Sequence, residues 1–503
     1  MPDSPGSPVT TLIFKTADEA ATGRLAEDVA AVLQAGDLIT LSGDLGAGKT
    51  TFARAMIRSA SGEAELEVPS PTFPIRIDYP LARLPIAHVD LYRVGGDGDA
   101  LELGLDEALD EVVLIVEWPE RISWPDVANR LDVAFGMLDG ERTIALAAGG
   151  SWPARLQRSR DIRTFLDRSG FAGAKRLHVV GDASAKSFER LVSGAADTAI
   201  MMNAPARTPG PPVWNGRPYD DVAHRAMDVL PFLAIGSALA AEGFHVPKVI
   251  AQDRAAGLVV MEDLGSDPIT GPDGEPIEER YQAAMDLLAH LHRKTWPHEL
   301  ACDGEAYHVP PYDTDALLIE IALYSDWYLP HSRGKPLLDS ERDAFLSAWK
   351  AVLSRLGGSP VTWVMRDFHS PNILWQPGAS GLARVGIIDV QDTLVGHPAY
   401  DVASLAQDAR ADISVELEAA LYRRYCAARR NWDPRFDSAG FAQAYVILGA
   451  QRATKVLGAF TRLAFHDGKP GYEKYLPRVR EVLARNLADP VLSALRVWYK
   501  DLV

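Results

Sequence analysis

The feature that most constrains the fold is a glycine-rich octapeptide that follows the short apolar run LITLS and precedes a segment of helical periodicity. Its spacing is that of a P-loop, in which glycines let backbone N–H groups surround phosphate oxygens. In such a loop the lysine, Lys49, lies on the β- and γ-phosphates and the hydroxyl of Thr50 binds Mg²⁺. The predicted nucleotide-binding residues are Gly43, Asp44, Leu45, Gly46, Ala47, Gly48, Lys49, Thr50 and Thr51.

The segments around this loop alternate between helical and extended patterns, which is typical of an α/β nucleotide-binding sheet. Thr16 and Glu19 have the spacing of a capping box at the start of an amphipathic helix. Short runs rich in branched residues predict strands, and AAGGSWP at 147–153 predicts the end of this region. The predicted strands are IRIDY, IAHVDLY, VVLIVEW, LDVAF and TIALAA.

A P-loop also needs an acidic group near its magnesium ion, commonly at the end of an apolar strand. Glu117 closes VVLIVE and is the predicted metal ligand. Asp90 closes IAHVD and is a second acidic candidate, which we group with Lys49 as catalytic. A surface carboxylate at a strand end would give the same pattern, so the residues alone leave that alternative open.

A second site is indicated by Arg366-Asp367-Phe368-His369-Ser370-Pro371-Asn372, which has the spacing of a kinase catalytic loop. In that chemistry the aspartate, Asp367, accepts the proton of the attacking hydroxyl, and the asparagine, Asn372, holds Mg²⁺. The later apolar strand GIID ends at Asp389, where a second metal-binding carboxylate is expected. A capped turn could also give Asp367 and Asn372 alone, but Asp389 makes a kinase site the better interpretation.

Two weaker patterns would complete an ATP site for this second region. Gly181, Asp182 and Ser184 lie between two strand-like runs and could cover the ATP phosphates through backbone N–H groups, although an ordinary hairpin turn would look the same. Glu262 and Leu264 follow the strand GLVV and could form the hinge that meets adenine; a simple strand-to-helix turn is equally consistent with them.

Composition limits the class of protein. The 503 residues are too many for one ordinary core, and the chain contains no run of eighteen apolar residues, so we expect no membrane span. Two cysteines, Cys302 and Cys426, form neither a disulfide framework nor a metal cluster, and we expect a cytoplasmic protein. Residues 1–150 contain 11 Lys and Arg against 25 Asp and Glu, a balance that disfavours direct binding to a phosphate backbone, though acidity can also serve solubility alone.

Four segments, GDLGAGKTT, VPSPTF, HVDLYR and VEWPE, occur in this order within residues 10–148. Together they resemble the TsaE family, the ATPase subunits of the bacterial tRNA threonylcarbamoyladenosine system. The resemblance implies ATP and Mg²⁺ as cofactors, with Lys49 on phosphate and with Thr50 and Glu117 at the metal. It also implies a protein partner, the threonylcarbamoyl-transferase complex that modifies adenosine next to the anticodon, so that tRNA is contacted indirectly.

The segments GDAS, MNAP, MEDLG, RDFHSPN, GIIDVQDTLVGHPAYD and QRATKVLGAF resemble aminoglycoside phosphotransferase-like kinases over about residues 157–495. The branch they look like is the N-acetylmuramate/N-acetylglucosamine kinases of cell-wall recycling. The resemblance implies ATP-dependent phosphorylation of an anomeric hydroxyl of a small amino sugar. Asp367 would be the base, Asn372 and Asp389 the metal ligands, and Asp401 a brace for the catalytic loop.

One departure from the kinase pattern leaves alternatives open. Such kinases usually carry a phosphate-binding lysine on the strand that corresponds to 198–203, and none is present; Lys186 could supply the charge. The C-terminal half could therefore be a kinase for another small hydroxyl compound, such as a choline-like or aminoglycoside-like substrate. A quaternary amine would need an aromatic cage, which Trp327 and Trp363 could provide, although tryptophans more often pack in the core. It could also be a non-catalytic module that regulates the ATPase.

The predicted architecture follows from these patterns. Residues 1–150 form an α/β domain with a P-loop NTPase sheet and its helices, residues 151–156 form a linker, and residues 157–503 form a bilobal, protein-kinase-like α+β domain. A short helix is expected at 160–168 and a long one at 221–241.

Overall fold

The computed structural model describes residues 10–81, 84–98, 103–109, 111–179, 186–194 and 197–500. It divides into two compact units. The first contains residues 1–204 and 250–263, and the second contains residues 205–249 and 264–503. Among the described residues, no helix has the length and apolar character needed to cross a membrane. The P-loop region and the first sheet of the kinase-like region thus lie in one unit.

A seven-stranded sheet organises the P-loop region, in the order β1-β7-β6-β2-β5-β4-β3. Its four central strands are parallel, and β1, β7 and β3 pair antiparallel with their neighbours. The elements are β1 (Thr10–Lys15), α1 (Glu19–Ala30), β2 (Leu38–Ser42), α2 (Lys49–Ser61), β3 (Arg76–Tyr79), β4 (Ile86–Asp90), α3 (Leu105–Ala108), β5 (Val113–Glu117), β6 (Arg130–Leu138) and β7 (Glu141–Ala148).

The strands β2, β4 and β5 are mostly apolar because apolar side chains cover both faces of the sheet at these strands. The capping box predicted at Thr16 and Glu19 is not formed. The helix α1 instead has Asp18 as its N-cap, and the Asp18 carboxylate accepts a hydrogen bond from the backbone N–H of Ala21 at 2.7 Å. A carboxylate immediately before the first helical residue reaches these free N–H groups directly.

The helix α4 (Trp152–Arg168) begins directly after the first sheet, earlier than the helix expected at 160–168, and includes residues 152–156. Pro153 lies in its first turn, where the missing N–H costs nothing. Trp152 and Leu156 join the core of the P-loop region, whereas Ile162, Phe165 and Leu166 join the core under the next sheet. The strands β8 (Lys175–Val179), β9 (Ser187–Val192) and β10 (Thr198–Asn203) follow.

The rest of the chain is mainly helical, as its sequence predicts. The long helix expected at 221–241 is interrupted between α5 and α6. The elements are β11 (Pro212–Trp214), β12 (Arg217–Pro218), α5 (Tyr219–Val222), α6 (Leu230–Ala241), β13 (Val249–Asp253), β14 (Leu258–Glu262), α7 (Glu278–Leu291), β15 (Glu299–Cys302), β16 (Glu305–His308), α8 (Thr314–Leu323), α9 (Leu329–Arg333), α10 (Asp339–Leu353), β17 (Thr362–Val364), β18 (Ile373–Trp375), β19 (Val385–Ile387), β20 (Leu394–Gly396), α11 (Ala399–Ala406), α12 (Val415–Trp432), α13 (Ser438–Phe465) and α14 (Leu476–Leu487).

The strands β13, β14, β10, β9 and β8 form a five-stranded sheet in that order. The pairs β8/β9, β9/β10 and β10/β14 are antiparallel. Short two-stranded sheets, β17/β20 and β18/β19, support the loops that carry the kinase-like residues.

Candidate functional sites

The P-loop connects the buried end of β2 to the first turn of α2. Gly43, Gly46 and Gly48 all have positive φ angles of 138°, 77° and 111°. Glycine is also required for space at position 43, because a Cβ atom there would lie 2.7 Å from the carbonyl oxygen of Phe135. The sequence therefore folds locally into a loop whose backbone can turn toward a bound phosphate.

Lys49 closes this loop from the inside. Its Nζ atom donates hydrogen bonds to the carbonyl oxygens of Gly43 at 2.7 Å and Asp44 at 2.9 Å, and lies 3.8 Å from the centroid of the Trp118 ring. The side chain is buried, and burial lowers its pKa from the usual value. A bound phosphate would offer this ammonium group a full negative charge in place of two carbonyl dipoles.

Thr50 and Glu117 meet as the sequence predicts. The Thr50 hydroxyl donates to Glu117 Oε2 at 3.0 Å, and the other carboxylate oxygen lies 3.0 Å from Nε2 of His88. Glu117 and His88 are buried, on the parallel neighbours β5 and β4. Glu117 is thus held by two partners, with its carboxylate directed toward the residue that follows the P-loop lysine.

Asp90 lies opposite Glu117 in the β4/β5 register and is buried. Its carboxylate accepts hydrogen bonds from the hydroxyl groups of Ser70 and Thr72 at 3.4 and 3.3 Å, and from the backbone N–H of Tyr92 at 3.0 Å. These contacts tie the segment 70–73 to the end of β4, next to the end of β5 that carries Glu117.

In the second unit, Asp401 holds the loop that carries Asp367. Its two carboxylate oxygens accept the backbone N–H groups of Met365 at 2.6 Å and Arg366 at 3.0 Å. Arg366 has a φ angle of 65°, an unusual conformation for a residue with a side chain. The bracing role that the resemblance implied for Asp401 matches these contacts.

A buried ionic network fixes the same loop from the other side. The guanidinium of Arg366 pairs with Glu320, and Glu320 also pairs with Nζ of Lys455 at 2.9 Å and accepts a hydrogen bond from the Tyr312 hydroxyl at 2.5 Å. Burial alone would raise the pKa of Glu320, but the two cations lower it to about 2. Arg366 is therefore held rigidly next to Asp367.

Asp367 is surrounded by positive charge. Burial opposes its ionisation, yet Lys455, Arg225, His369 and Arg366 together hold the pKa of this carboxyl well below its usual range. The backbone carbonyl of Asp367 accepts a hydrogen bond from the side-chain amide of Asn372 at 3.0 Å. Asp367 is consequently ionised at neutral pH and fixed relative to Asn372.

Asn372 and Asp389 lie at the same end of the β18/β19 hairpin. Asn372 precedes β18, Asp389 follows β19, and the backbone N–H of Ile388 donates to the Asn372 carbonyl at 3.0 Å. Asp389 has a φ angle of 60°, and its Oδ1 atom accepts a hydrogen bond from Gln391 at 2.8 Å. The structure thus brings together the loop asparagine and the strand-end aspartate that the sequence singled out.

The remaining predicted residues are distributed as follows. Gly181, Asp182 and Ser184 lie outside the described residues. Glu262 ends β14 in the first unit, and the carbonyl oxygen of Leu264, in the second unit, accepts a hydrogen bond from Gln376 at 2.8 Å. The predicted hinge residues therefore lie at the point where the chain passes from one unit to the other.

The strand β10, which lacks the lysine that is usual in such kinases, is contacted by an arginine from α4. Asn203, at the end of β10, accepts a hydrogen bond at 2.5 Å from Arg158, which belongs to α4. Trp363, one member of the aromatic cage considered for a choline-like substrate, is buried and stacks on Trp296 with 4.3 Å between the ring centroids. Trp363 is therefore part of the hydrophobic core and is not exposed to form a cage around a substrate.

The family model described as "Threonylcarbamoyl adenosine biosynthesis protein TsaE" matches residues 16–144, and the model described as "Phosphotransferase enzyme family" matches residues 213–435. An N-acetylmuramate/N-acetylglucosamine kinase of Caulobacter vibrioides is 34% identical over 348 residues, which cover 67% of this chain and 94% of that relative. The tRNA threonylcarbamoyladenosine biosynthesis protein TsaE of Rickettsia felis is 35% identical over 127 residues, covering 25% of this chain and 74% of the relative.

The chain belongs to the TsaE family and to the N-acetylmuramate/N-acetylglucosamine kinases. The TsaE part and the kinase part are two ATP-using enzymes fused in one chain, and the fold class predicted from the sequence is confirmed. A solved aminoglycoside-3'-phosphotransferase of type VIII matches 57% of this chain and 97% of its own length, with 20% identity and a TM-score of 0.37.

Sequence reasoning missed several residues of the kinase part. Glu320 is flanked on both sides by apolar residues in the helix α8, a position that indicates a buried and partnered charge. Lys455 lies within one of the recognised segments, QRATKVLGAF. Its pairing with Glu320 could not be predicted, because the two residues are far apart in the sequence. Arg225 pairs with Asp392 at 3.2 Å. Asp392 lies in the segment GIIDVQDTLVGHPAYD, but no local pattern marks Arg225 as its partner.

Proposed function

We propose that residues 1–150 act as the ATPase needed for threonylcarbamoyl modification of tRNA adenosine next to the anticodon. Residues 157–503 act as a kinase for the anomeric hydroxyl of N-acetylmuramate or N-acetylglucosamine in cell-wall recycling, with 151–156 as the segment between these domains. The relatives' names supply the substrates, and a fixed, ionised Asp367 beside Asn372 and Asp389 is the observation that carries the kinase proposal.

In the ATPase domain, the loop from Gly43 to Thr51 holds the phosphates of ATP. When ATP binds, the ammonium group of Lys49 exchanges its two carbonyl partners for the β- and γ-phosphates. This movement changes the cation–π contact between Lys49 and the Trp118 ring. Asp90 holds Ser70 and Thr72 near the same strand ends, so a change at the γ-phosphate can reach the segment that contains them.

Both domains offer donors suited to Mg²⁺. The Thr50 hydroxyl and the Glu117 carboxylate are hard oxygen ligands already 3.0 Å apart, and Asn372 and Asp389 offer an amide oxygen and a carboxylate at one hairpin end. When bound, the ion would neutralise charge on the β- and γ-phosphates. These residues are the ones we propose as its ligands.

In the kinase domain, Asp367 accepts the proton of the anomeric hydroxyl as that oxygen forms a bond to the γ-phosphorus of ATP, and ADP leaves. Asp401 and the Arg366–Glu320 pair keep this carboxylate in place. The partner of the ATPase domain is the threonylcarbamoyl-transferase complex, tRNA is contacted through that complex, and both activities belong to the cytoplasm.

The test is ATP consumption by the purified full-length protein with Mg²⁺, with and without a panel of sugars. We expect N-acetylmuramate or N-acetylglucosamine to stimulate turnover. The Asp367→Ala variant should lose about 10²- to 10⁴-fold of this activity because a general base contributes that much. Lys49→Ala should abolish nucleotide binding at the P-loop and leave sugar phosphorylation intact.

Each alternative has its own outcome. Stimulation by a different hydroxyl compound would replace the sugar, and no stimulation by any compound would favour a regulatory module. Loss of both activities in either single variant would contradict the proposal of two separate sites.

A further inference from the structure

The helix α13 carries a buried arginine, Arg452. This residue is 7% exposed, and within the described part of the chain no hydrogen bond or ion pair reaches its guanidinium group. Its polar neighbours in the helix have partners, because Gln451 donates to Glu320 at 3.2 Å and Lys455 pairs with the same side chain at 2.9 Å. A guanidinium group stays protonated in proteins, so the burial of Arg452 leaves a charge that nothing in its surroundings compensates.

The charge of Arg452 acts on the loop that follows Asp367, within the second unit. Burial, together with the cations of Arg410 and Arg452, lowers the pKa of His369 to about 4, so this imidazole is neutral near pH 7. His369 is 6% exposed, and its Nδ1 atom has no hydrogen-bond partner among the described residues. Near the catalytic carboxylate, two buried polar groups are thus left for a bound ligand to satisfy.

The same charge acts on Tyr400 of α11. Burial raises the pKa of Tyr400, whereas the cations of Lys455 and Arg452 favour its ionised form. Lys455 Nζ lies 3.4 Å from the Tyr400 hydroxyl. Burial opposes the ionisation of Asp367, and Lys455 is the cation that counters this effect most strongly. Arg452 and Lys455, one turn apart in α13, are therefore both close to Tyr400 and to the catalytic loop.

A small cavity beside Arg452 has room for water but not for a larger ligand. Its volume is about 10 Å³, enough for one water molecule, and its other walls include Gln407, Gly449 and Val479. Water can accept a hydrogen bond from the guanidinium group, but it brings no charge to offset that of the arginine. A ligand with a negative charge near the catalytic loop would do so.

The acceptor of the proposed reaction can supply this charge. N-acetylmuramate is N-acetylglucosamine with a lactyl ether on O3, and the lactyl group ends in a carboxylate. Asp367 takes the proton of the anomeric hydroxyl on the same ring, so this carboxylate must lie close to the catalytic loop. In the proposed arrangement the phosphates of ATP lie instead with Mg²⁺ at Asn372 and Asp389, at the end of the β18/β19 hairpin. Guanidinium groups bind carboxylates through two parallel hydrogen bonds.

We propose that Arg452 binds the lactyl carboxylate of N-acetylmuramate and gives the kinase its preference for this acid over N-acetylglucosamine. The inference rests on the proposed kinase function. It assigns to one residue the choice between the two sugars that stand together in the relative's name. Without the sugar the charge of Arg452 stays uncompensated, so a substitution that removes the charge should not weaken the fold.

Substitutions of Arg452 separate this role from a structural one. Arg452→Met keeps a long side chain but removes the charge, and because it leaves no carboxylate unpaired, its urea midpoint should equal or exceed that of the wild type. Arg452→Lys keeps the charge but loses the two-pronged geometry. Arg423→Met, at an exposed position of α12, is the matched control.

Steady-state phosphorylation by the full-length protein is measured at saturating ATP with N-acetylmuramate, its neutral methyl ester and N-acetylglucosamine. We expect Arg452→Met to raise the KM for N-acetylmuramate about 10²-fold, with kcat changed less than about threefold, because a buried charged contact is lost from binding. Arg452→Lys should recover part of this loss. The KM values for the methyl ester and for N-acetylglucosamine should change less than about threefold, and Arg423→Met should match the wild type with all three compounds.

The outcomes distinguish the inference from the proposed function beneath it. Equal losses with all three compounds would assign Arg452 to the transferred phosphate or to the fold, and would overturn the inference. Unchanged kinetics in Arg452→Met, or a wild type that prefers N-acetylglucosamine, would overturn it as well. Phosphorylation of neither sugar by the wild type would refute the proposed kinase function itself.

Discussion

At the scale of single residues, the contact between Thr50 and Glu117 gives the most direct prediction for the ATPase domain. Glu117→Gln keeps the shape and the hydrogen bond to Thr50 but removes the negative charge of the proposed metal ligand. We expect Mg²⁺-dependent ATP hydrolysis to fall about 10²-fold or more, because charge on the transferring phosphate is no longer offset.

Nucleotide affinity without Mg²⁺ distinguishes this role from a structural one. It should change little in Glu117→Gln, as in Glu141→Gln, which removes an exposed carboxylate from β7 at the other side of the sheet. Equal losses of nucleotide binding with and without Mg²⁺ would show that Glu117 only supports the fold.

The residues that sequence could identify are those whose partners lie in the same local motif. Lys49, Thr50, Asp367 and Asn372 belong to short loops in which spacing alone fixes the geometry. Glu320 could not be assigned a role in this way, because its partners come from other elements and meet only after folding. Residue spacing also cannot show the protonation state of Asp367. That state follows from the surrounding cations, which lower the pKa of its carboxyl group although the group is buried.

At the scale of elements, the helix α1 carries a carboxyl group that responds to pH. Burial raises the pKa of Glu27 to about 7, although Arg163 and the backbone N–H of Arg176 favour the charged form. The folded state therefore binds more protons than the unfolded state between about pH 4.5 and pH 7. The contribution of Glu27 to the free energy of unfolding therefore falls as pH rises through this window, by at most about 3 kcal/mol at 1.36 kcal/mol per pKa unit.

Urea unfolding at pH 5 and pH 8 checks this effect. The Glu27→Gln variant should lose less stability than the wild type between the two values, because its amide does not titrate. Glu19→Gln, at an exposed position of the same helix, should follow the wild type. An identical pH dependence in wild type and Glu27→Gln would exclude Glu27 as the source.

Element boundaries show where local sequence rules stop. Thr16 fits a capping box, but Asp18 is closer to the first free N–H groups and is the N-cap. The helix α4 starts before the predicted residue 160 because Trp152 and Leu156 bury against the P-loop core. These contacts are made with residues far away in the sequence, so the sequence around residues 152–156 alone cannot predict them.

At the scale of the whole molecule, one buried arginine connects the P-loop region to the five-stranded sheet within the first unit. Arg176, in β8, donates to Glu189 of β9 at 2.5 and 2.9 Å and to Asp28 of α1 at 2.6 Å. Its carbonyl oxygen accepts a hydrogen bond from Ser59 of α2 at 2.7 Å. The helix α2, which begins at the P-loop, therefore ends against β8, an edge strand of the five-stranded sheet.

Replacing this arginine should destabilise both parts together. In Arg176→Met, the carboxylates of Glu189 and Asp28 lose their buried partner, and breaking such a pair costs about 3–5 kcal/mol. Urea unfolding is monitored by two signals, sugar phosphorylation and nucleotide binding at the P-loop. In Arg176→Met both signals should be lost at the same urea concentration, which is lower than in the wild type. The double variant Arg176→Met/Glu189→Leu should recover part of the loss, because one unpaired charge is removed. If Arg176→Met lowered the urea midpoint of only one of the two activities, the two parts would unfold independently, and the contact at Arg176 would not couple their unfolding.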